Sequence, residues 1–433
     1  MSPDPLPAQP HHPTSGGAGR HGYTRVLPLA GGTRPADVAR LAAVLVHLLG
    51  PAGAREGTVV LPHPPGVPAR QVLAETGPAT AIPPGTAVLL RTSGSTTGRG
   101  HVVALGAAAL TASARATERR LSGPGHWLLP LPTHHVAGLQ VLVRSAVAGT
   151  VPVVLDTSAG FDPARLARTV RELPAGTSPW YTSLVPTQLV RLLAAGEDAV
   201  APLRRFAAIL VGGAGTPPDV LAGARDAGLA VVTTYGMTET GGGCVYDGVP
   251  LPGVRLALED DGQRLRIGGP MVATGYVDDP EADAATFVTE GEQRWLRTSD
   301  RGELRTRGGR QHLTVLGRVD DVITTGGVKV SPGEVEDALA APGVELVVVG
   351  VPDPEWGELV TAVVVDHDGT VPDLPDVRAR VRDRVGGAHA PRALVHVQEL
   401  PLLGSGKVDR RAAARLAADR LARPGAAGTE RHR

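Results

Sequence analysis

Lysine is nearly missing from this chain. Of 43 basic residues, only Lys329 and Lys407 are lysines. Arginine serves everywhere else, so a retained ammonium is either a chance survivor or a group whose task a planar guanidinium cannot perform. Reaching one reacting oxygen as a compact point charge is such a task. The single cysteine, Cys244, excludes an intrachain disulfide and a multi-cysteine metal site. Aromatic residues make up 3%, too few for a platform that stacks successive bases. Formal charges balance and no basic run is sustained, which argues against nucleic acid or an anionic membrane as a partner. No apolar run approaches the length of a membrane span, and no apolar leader opens the chain. A cytoplasmic location is expected.

A chain of 433 residues is too long for one simple core, and two domains are the natural division. Residues 1–22, rich in Pro, His and Gly, and residues 424–433 read as disordered tails. Between them, 23–317 reads as a large α/β domain and 318–423 as a small α+β domain. Helical spacing marks 36–50, 104–121 and 162–172, and buried strands are expected at 58–62 and 87–90. In the small domain, helices are expected at 333–340, 376–385 and 409–422. Strands are expected there at 345–351, 359–365 and 393–397. Ser331, Pro332 and Glu334 form a capping-box pattern at the first of those helices.

Chemistry concentrates in a few stretches. After the strand ending at Leu90 comes RTSGSTTGRG. Its Thr92, Ser93, Gly94, Ser95, Thr96, Thr97 and Gly98 suit the phosphates of a nucleotide, because glycine lets backbone N–H groups converge and hydroxyls add donors. A plain Ser/Gly turn is the other reading. No GK[ST] follows, so this is not the P-loop of ordinary NTPases. His134 and His135 follow a strand, where open α/β sheets bind ligands; pocket lining and a surface pair are both open. The strand ending at Thr234 delivers Tyr235, Gly236, Met237, Thr238 and Glu239. Tyr235 can stack on a base, Thr238 can donate to phosphate, and Glu239 can hold a divalent cation shared with phosphates. Asp300, in TSDRGEL, is expected in a turn, binding ribose hydroxyls or capping the turn.

Taken as an ordered set, the hydroxyl/glycine loop, YGMTE, TSDRGEL, GRVDD and LLGSGK resemble the adenylate-forming superfamily of acyl-CoA synthetases, adenylation domains and luciferases. Within it, LPTHHVAGLQVLV, SLVPTQLVRLL and GGGCVYDGVPL are similar to the o-succinylbenzoate–CoA ligases of menaquinone biosynthesis. The resemblance implies a large N-terminal domain of layered sheets and helices with a small mobile C-terminal domain. It implies Mg-ATP, coenzyme A and a small carboxylic acid as partners, and a monomer or homodimer. Two half-reactions follow: acyl-adenylate formation, then thiol attack that releases AMP. By the same resemblance Thr92–Gly98 cradle pyrophosphate, Gly213 and Tyr235 flank adenine, and Thr238 meets phosphate. Glu239 takes Mg2+, while Asp300 and Arg318 take the ribose. Lys407 bridges the attacking carboxylate and the α-phosphate. His135, Ser183 and Thr187 line or gate the acyl site, Asp320 is the hinge, and Gly326, Gly327 and Lys329 meet the pantetheine arm of CoA.

One position departs from the family pattern. Its phosphate loop usually carries Gly-x-Pro-Lys, whereas this chain reads GRGH, with Gly100 at the proline and His101 at the lysine. Weaker ATP use follows as an expectation. A close relative acting on another aryl or aliphatic acid, an adenylation enzyme that loads a carrier protein, and a degenerate nucleotide binder are the rival readings. Retention of both lysines speaks against the last.

Overall fold

The computed structural model describes residues 25–50, 57–92, 100–259, 264–340, 344–365, 373–403, 408–423 and 428–432. The tail 1–22, the loop residues Ser93, Gly94, Ser95, Thr96, Thr97 and Gly98, and Lys407 lie outside the described residues. Strands among the described residues fall into four sheets.

The first sheet carries, side by side, Arg25–Ala30, Thr58–His63, Thr86–Arg91, Val102–Gly106 and Gly275–Tyr276. Its first three strands run parallel, Val102–Gly106 runs against them, and Gly275–Tyr276, antiparallel to Val102–Gly106, returns to the first direction. The stretch 104–121 is therefore not one helix, as its composition suggests. Val102–Gly106 pairs antiparallel with Thr86–Arg91, and the helix begins only at Ala107. Gly106 occupies the cap without any side-chain hydrogen bond, so no capping residue announces the break.

The second sheet positions the site. Its order is Val249–Pro250, Gly242–Tyr246, Val231–Met237, Ala208–Gly212, Trp180–Leu184, His126–Leu129 and Val153–Val154. The last five are mutually parallel. They are short and apolar, and Trp180–Leu184 is buried throughout, as strands covered on both faces must be. Helices Pro35–Leu49, Ala107–Arg120 and Val136–Ala148 pack between this sheet and the first in one continuous core. Pro163–Arg171, Pro186–Ala194 and Pro218–Asp226 cover the opposite face. Because the strands run the same way, their carboxyl ends align. His135, Thr187, Gly213 and Thr238 all lie just beyond those ends.

The third sheet is antiparallel, with Arg255–Leu258, Arg264–Gly268, Gln293–Arg307 and Phe287–Glu290, and Arg310–Arg318 paired to the long strand. From Ile323 onward every named strand belongs to the fourth sheet. Helices Pro332–Leu339 and Leu374–Arg384 pack on one side of it and Arg410–Leu421 on the other. Thus the C-terminal part, from Ile323, has an α+β sheet of its own.

Two local expectations are corrected here. Ser331 makes no side-chain cap; its hydroxyl donates to Leu316 O at 2.7 Å, tying the last strand of the third sheet to the next helix. Pro332 does occupy the first helical position, but Glu334 lies 3.7 Å from His389 instead of reaching back. At the other end, the tail 424–433 contains a strand, Thr429–Arg431, paired with Ala393–Val395. Polar contacts hold it: Arg431 is 2.6 Å from Asp353, and Glu430 accepts from Leu374 N at 2.9 Å. Such contacts do not appear as hydrophobic periodicity.

Candidate active site

Glu239 sits where the strand Val231–Met237 ends in a tight turn, Thr238–Thr240. The turn is braced from several sides. Met237 N donates to Thr240 Oγ1 at 2.9 Å, and Thr240 Oγ1 donates to Gly242 O at 2.7 Å. Ala273 N donates to Glu239 O at 2.8 Å. Gln140, from the helix that His135 starts, donates to Gly241 O at 2.5 Å. Position 236 admits only glycine, since a Cβ there would lie 2.2 Å from Gly242 O.

The Glu239 carboxyl is buried, which raises its pKa; hydrogen bonds and the charges of His101 and Arg318 oppose that rise. Tyr276 donates its hydroxyl to Glu239 Oε1 at 2.9 Å. Among the described residues no three His, Cys, Asp or Glu side chains gather as a metal cage. A lone buried carboxylate suits instead a hard cation that completes its shell with phosphate oxygens and water, as Mg2+ does.

Tyr235 and Asp300 meet directly: the phenol donates to Asp300 Oδ2 at 2.6 Å. Burial, then the Asp300 charge, hold the Tyr235 pKa well above its ordinary value, so it stays a donor. Asp300 is not in a turn. It lies within the strand Gln293–Arg307, beside a bulge at Arg301/Gly302, with its Cα opposite that of Arg318. Strand pairing with Arg310–Arg318 overrides the turn signal of Gly302. Arg318 reaches Asp320 at 3.6 Å as well. Gly213 takes a left-handed φ of +90° at the end of Ala208–Gly212, whose Gly212 is in register with Thr234. Its loop therefore starts beside the strand that carries Tyr235.

The phosphate-loop candidate is closed by a neck. Thr92 N donates to His101 O, and His101 N donates to Thr92 Oγ1, both at 2.9 Å. Gly100 belongs to that neck, where a Cβ would meet Thr92 O at 1.8 Å. The ring of His101 turns to Asp279, with Nδ1 2.9 Å from Oδ2, and stacks on Tyr276 with centroids 4.5 Å apart. Neither Tyr276 nor Asp279 was legible as a site residue. The only available signal was rarity, because Tyr276 is one of five tyrosines in the chain.

The two adjacent histidines have different surroundings. His134 N and Nδ1 both face Gly31 O, at 2.7 and 2.5 Å, joining the loops of the first two sheets. Burial depresses the His134 pKa below the usual imidazole value of 6.5. Below that value the unfolded chain takes up the proton before the folded chain does, so stability is full above it and falls as pH drops towards the folded pKa. His134→Gln should flatten this loss, read as the change in Tm between about pH 7.5 and about pH 5.5. His135 caps the helix Val136–Ala148 at the carboxyl end of the sheet. Ser183, buried in Trp180–Leu184, and the half-buried Thr187 lie at the same end. Cys244 is buried with its thiol pushed up to about 12, which makes it unreactive.

The remaining candidates lie in the small domain. Gly326 and Gly327, both with positive φ, make the two-residue turn between Ile323–Thr325 and Val328–Val330, the geometry a tight hairpin demands. The turn packs on Trp356, 2.9 Å from a Cβ built at Gly326. Lys329 is exposed on the second strand.

A layered α/β body with nucleotide-binding candidates at its strand ends, followed by a separate α+β sheet, agrees with the family comparison. The chain belongs to the AMP-binding enzyme family: residues 37–308 match that family and residues 334–407 match the AMP-binding enzyme C-terminal domain. A probable 2-succinylbenzoate–CoA ligase of Mycobacterium tuberculosis is 47% identical over 332 residues, covering 76% of this chain and 84% of that protein. A feruloyl-CoA synthase of Amycolatopsis sp. is 32% identical over 314 residues, covering 67% of this chain and 61% of that protein. Among solved structures, o-succinylbenzoate CoA synthetase from Bacillus subtilis, bound to its acyl-adenylate intermediate, superposes with a TM-score of 0.68 at 23% identity. That match covers 89% of this chain and 87% of the other, and carries the fold.

Proposed function

We propose that the protein is an ATP-dependent acid–CoA ligase that converts o-succinylbenzoate to its CoA thioester through an acyl-adenylate, in menaquinone biosynthesis. The 47% identity with a 2-succinylbenzoate–CoA ligase along most of both chains carries this reading. The site geometry supports the nucleotide half of it, with Tyr235 bonded to Asp300, Asp300 paired with Arg318, and the Arg318 charge acting on Glu239.

The first step joins a carboxylate to a polyphosphate, anion against anion. Charge neutralisation and alignment are therefore the main tasks. Tyr235 and the Gly213 loop flank the adenine, Asp300 and Arg318 bind the ribose, and Thr238 donates to phosphate. Thr92–Gly98 hold the departing pyrophosphate. Glu239 would hold Mg2+, which when bound neutralises phosphate charge. Lys407 brings one ammonium to both the attacking carboxylate and the α-phosphate. In the second step the small domain, 318–423, turns about Asp320, and the Gly326-Gly327 hairpin with Lys329 lines the path of the CoA thiol. His135, Ser183 and Thr187 border the acyl group.

Pyrophosphate release with Mg-ATP tests this reading across a panel of acids, with and without CoA. Thioester formation selective for o-succinylbenzoate is expected. Selective turnover of another aryl acid, such as ferulate, moves the substrate and keeps the chemistry. Transfer to a carrier-protein arm in place of free CoA overturns the acceptor, and no turnover despite ATP binding overturns the enzyme.

A further inference from the structure

His101, Tyr276 and Glu239 form a ladder that joins two parts of the site the sequence keeps far apart. Its first rung is the neck of the phosphate loop, where His101 and Thr92 exchange backbone and hydroxyl contacts at 2.9 Å. The second is the His101 ring, stacked on Tyr276 with the planes inclined by 24°. The third is the Tyr276 hydroxyl on Glu239 Oε1.

Both ends of the ladder are fastened. Asp279 gives Oδ2 to His101 and uses Oδ1 to cap the helix Pro280–Thr286. Phe287 meets the Tyr276 ring edge-on at 5.2 Å, and Arg294 lies 4.8 Å over Phe287. Tyr276 N donates to Asp283 Oδ1 at 2.8 Å. Consequently the phenol has little freedom to turn. Its hydroxyl is directed at Glu239 Oε1, 2.9 Å away.

We propose that Tyr276 is the positioning residue for Glu239, fixing one carboxylate oxygen and leaving the other for the cation it would hold, and that His101 couples this setting to Thr92. The proposal rests on reading Glu239 as the residue that meets nucleotide-bound Mg2+. It gives His101 a task that a lysine at the same position could not perform, since an ammonium on an alkyl stem has no planar group to stack on Tyr276.

Calorimetric titration of ATP into wild type, Tyr276→Phe and His101→Ala, with Mg2+ and again with EDTA, tests it. Tyr276→Phe keeps the ring and removes only the hydroxyl. Its ATP affinity in EDTA should match wild type, whereas with Mg2+ it should fall about tenfold, the scale of one hydrogen bond to a charged group. His101→Ala should shift in the same direction by a smaller factor. Equal weakening with and without Mg2+ overturns the proposal in favour of a structural role, as does a lowered Tm with the Mg2+ linkage intact. No change in either condition overturns it as well. Wild type that binds Mg-ATP normally yet turns over no o-succinylbenzoate overturns the substrate reading alone. Wild type whose ATP binding ignores Mg2+ overturns the Tyr276 assignment whichever acid is used.

Discussion

Lys407→Ala should slow pyrophosphate release about 10²–10³-fold, the usual cost of removing one charge-stabilising donor at a reacting centre. Thioester formation from supplied acyl-adenylate should suffer much less. The asymmetry follows from where charge develops. In the first step a carboxylate oxygen and a phosphoryl group, both anionic, must approach, and one ammonium bridging them acts on both reactants at once. In the second step a thiol meets a carbonyl whose leaving group is already activated, and the bridge has no second anion to hold. Single-turnover assays of the two steps measure this directly. Equal losses would show that Lys407 serves general binding or folding instead.

The described residues on either side of Lys407 are firmly held. Leu402 and Val408 pair antiparallel, and Asp409 N donates to Pro401 O at 2.8 Å. Arg410 grips Glu336 with both terminal nitrogens, at 2.6 and 2.7 Å, and donates to Val348 O at 2.9 Å. It also lies 3.8 Å from Asp321, next to the proposed hinge. Lysine scarcity pointed to Lys407 from composition alone, but nothing in the sequence pairs Arg410 with Glu336, since that contact closes only when the helix packs on the sheet.

The same distinction separates what was legible from what was not. Periodicity and glycine placement identified the α/β character of the large domain, because each apolar run is short and ends in a loop with its own chemistry. Tyr235 and Glu239 stood out as polar residues at one such end, and Asp300 as a carboxylate near a glycine. Three features escaped for physical reasons. The strand Val102–Gly106 runs into Ala107–Arg120 without a capping side chain, so the break between strand and helix is invisible locally. Gly302 signals a turn at Asp300; a partner strand beginning only at Arg310 supplies the hydrogen bonds that extend it instead. Ser331 matches a capping box, yet its proton goes to Leu316 O, a choice set by tertiary proximity. His101 was visible as a departure from the family, but its partners, Asp279 and Tyr276, lie far along the chain, and only folding brings them to it.

Asp320→Pro should separate the two half-reactions in the opposite sense to Lys407→Ala. Asp320 lies in the short 3-10 turn Val319–Asp321, between the last strand of the third sheet and the first of the fourth. Proline fits a 3-10 turn, where φ is already about −50 to −70°, so the variant should fold and adenylate. What proline removes is the freedom to change φ, and a domain rotation concentrated in a few linker residues depends on that freedom. The loss of the Asp320 carboxylate, 3.6 Å from Arg318, acts on both steps and is isolated by Asp320→Ala. Relative to that control, thioester formation should fall by about tenfold or more, equivalent to about 1.4 kcal/mol against the rotated arrangement. Adenylation should stay within about threefold of the alanine control, a difference below 1 kcal/mol. Wild-type rates for both steps would place the pivot elsewhere. A matching loss in both, with an unchanged Tm, would mean that Asp320 acts through the nucleotide site it borders and not through motion.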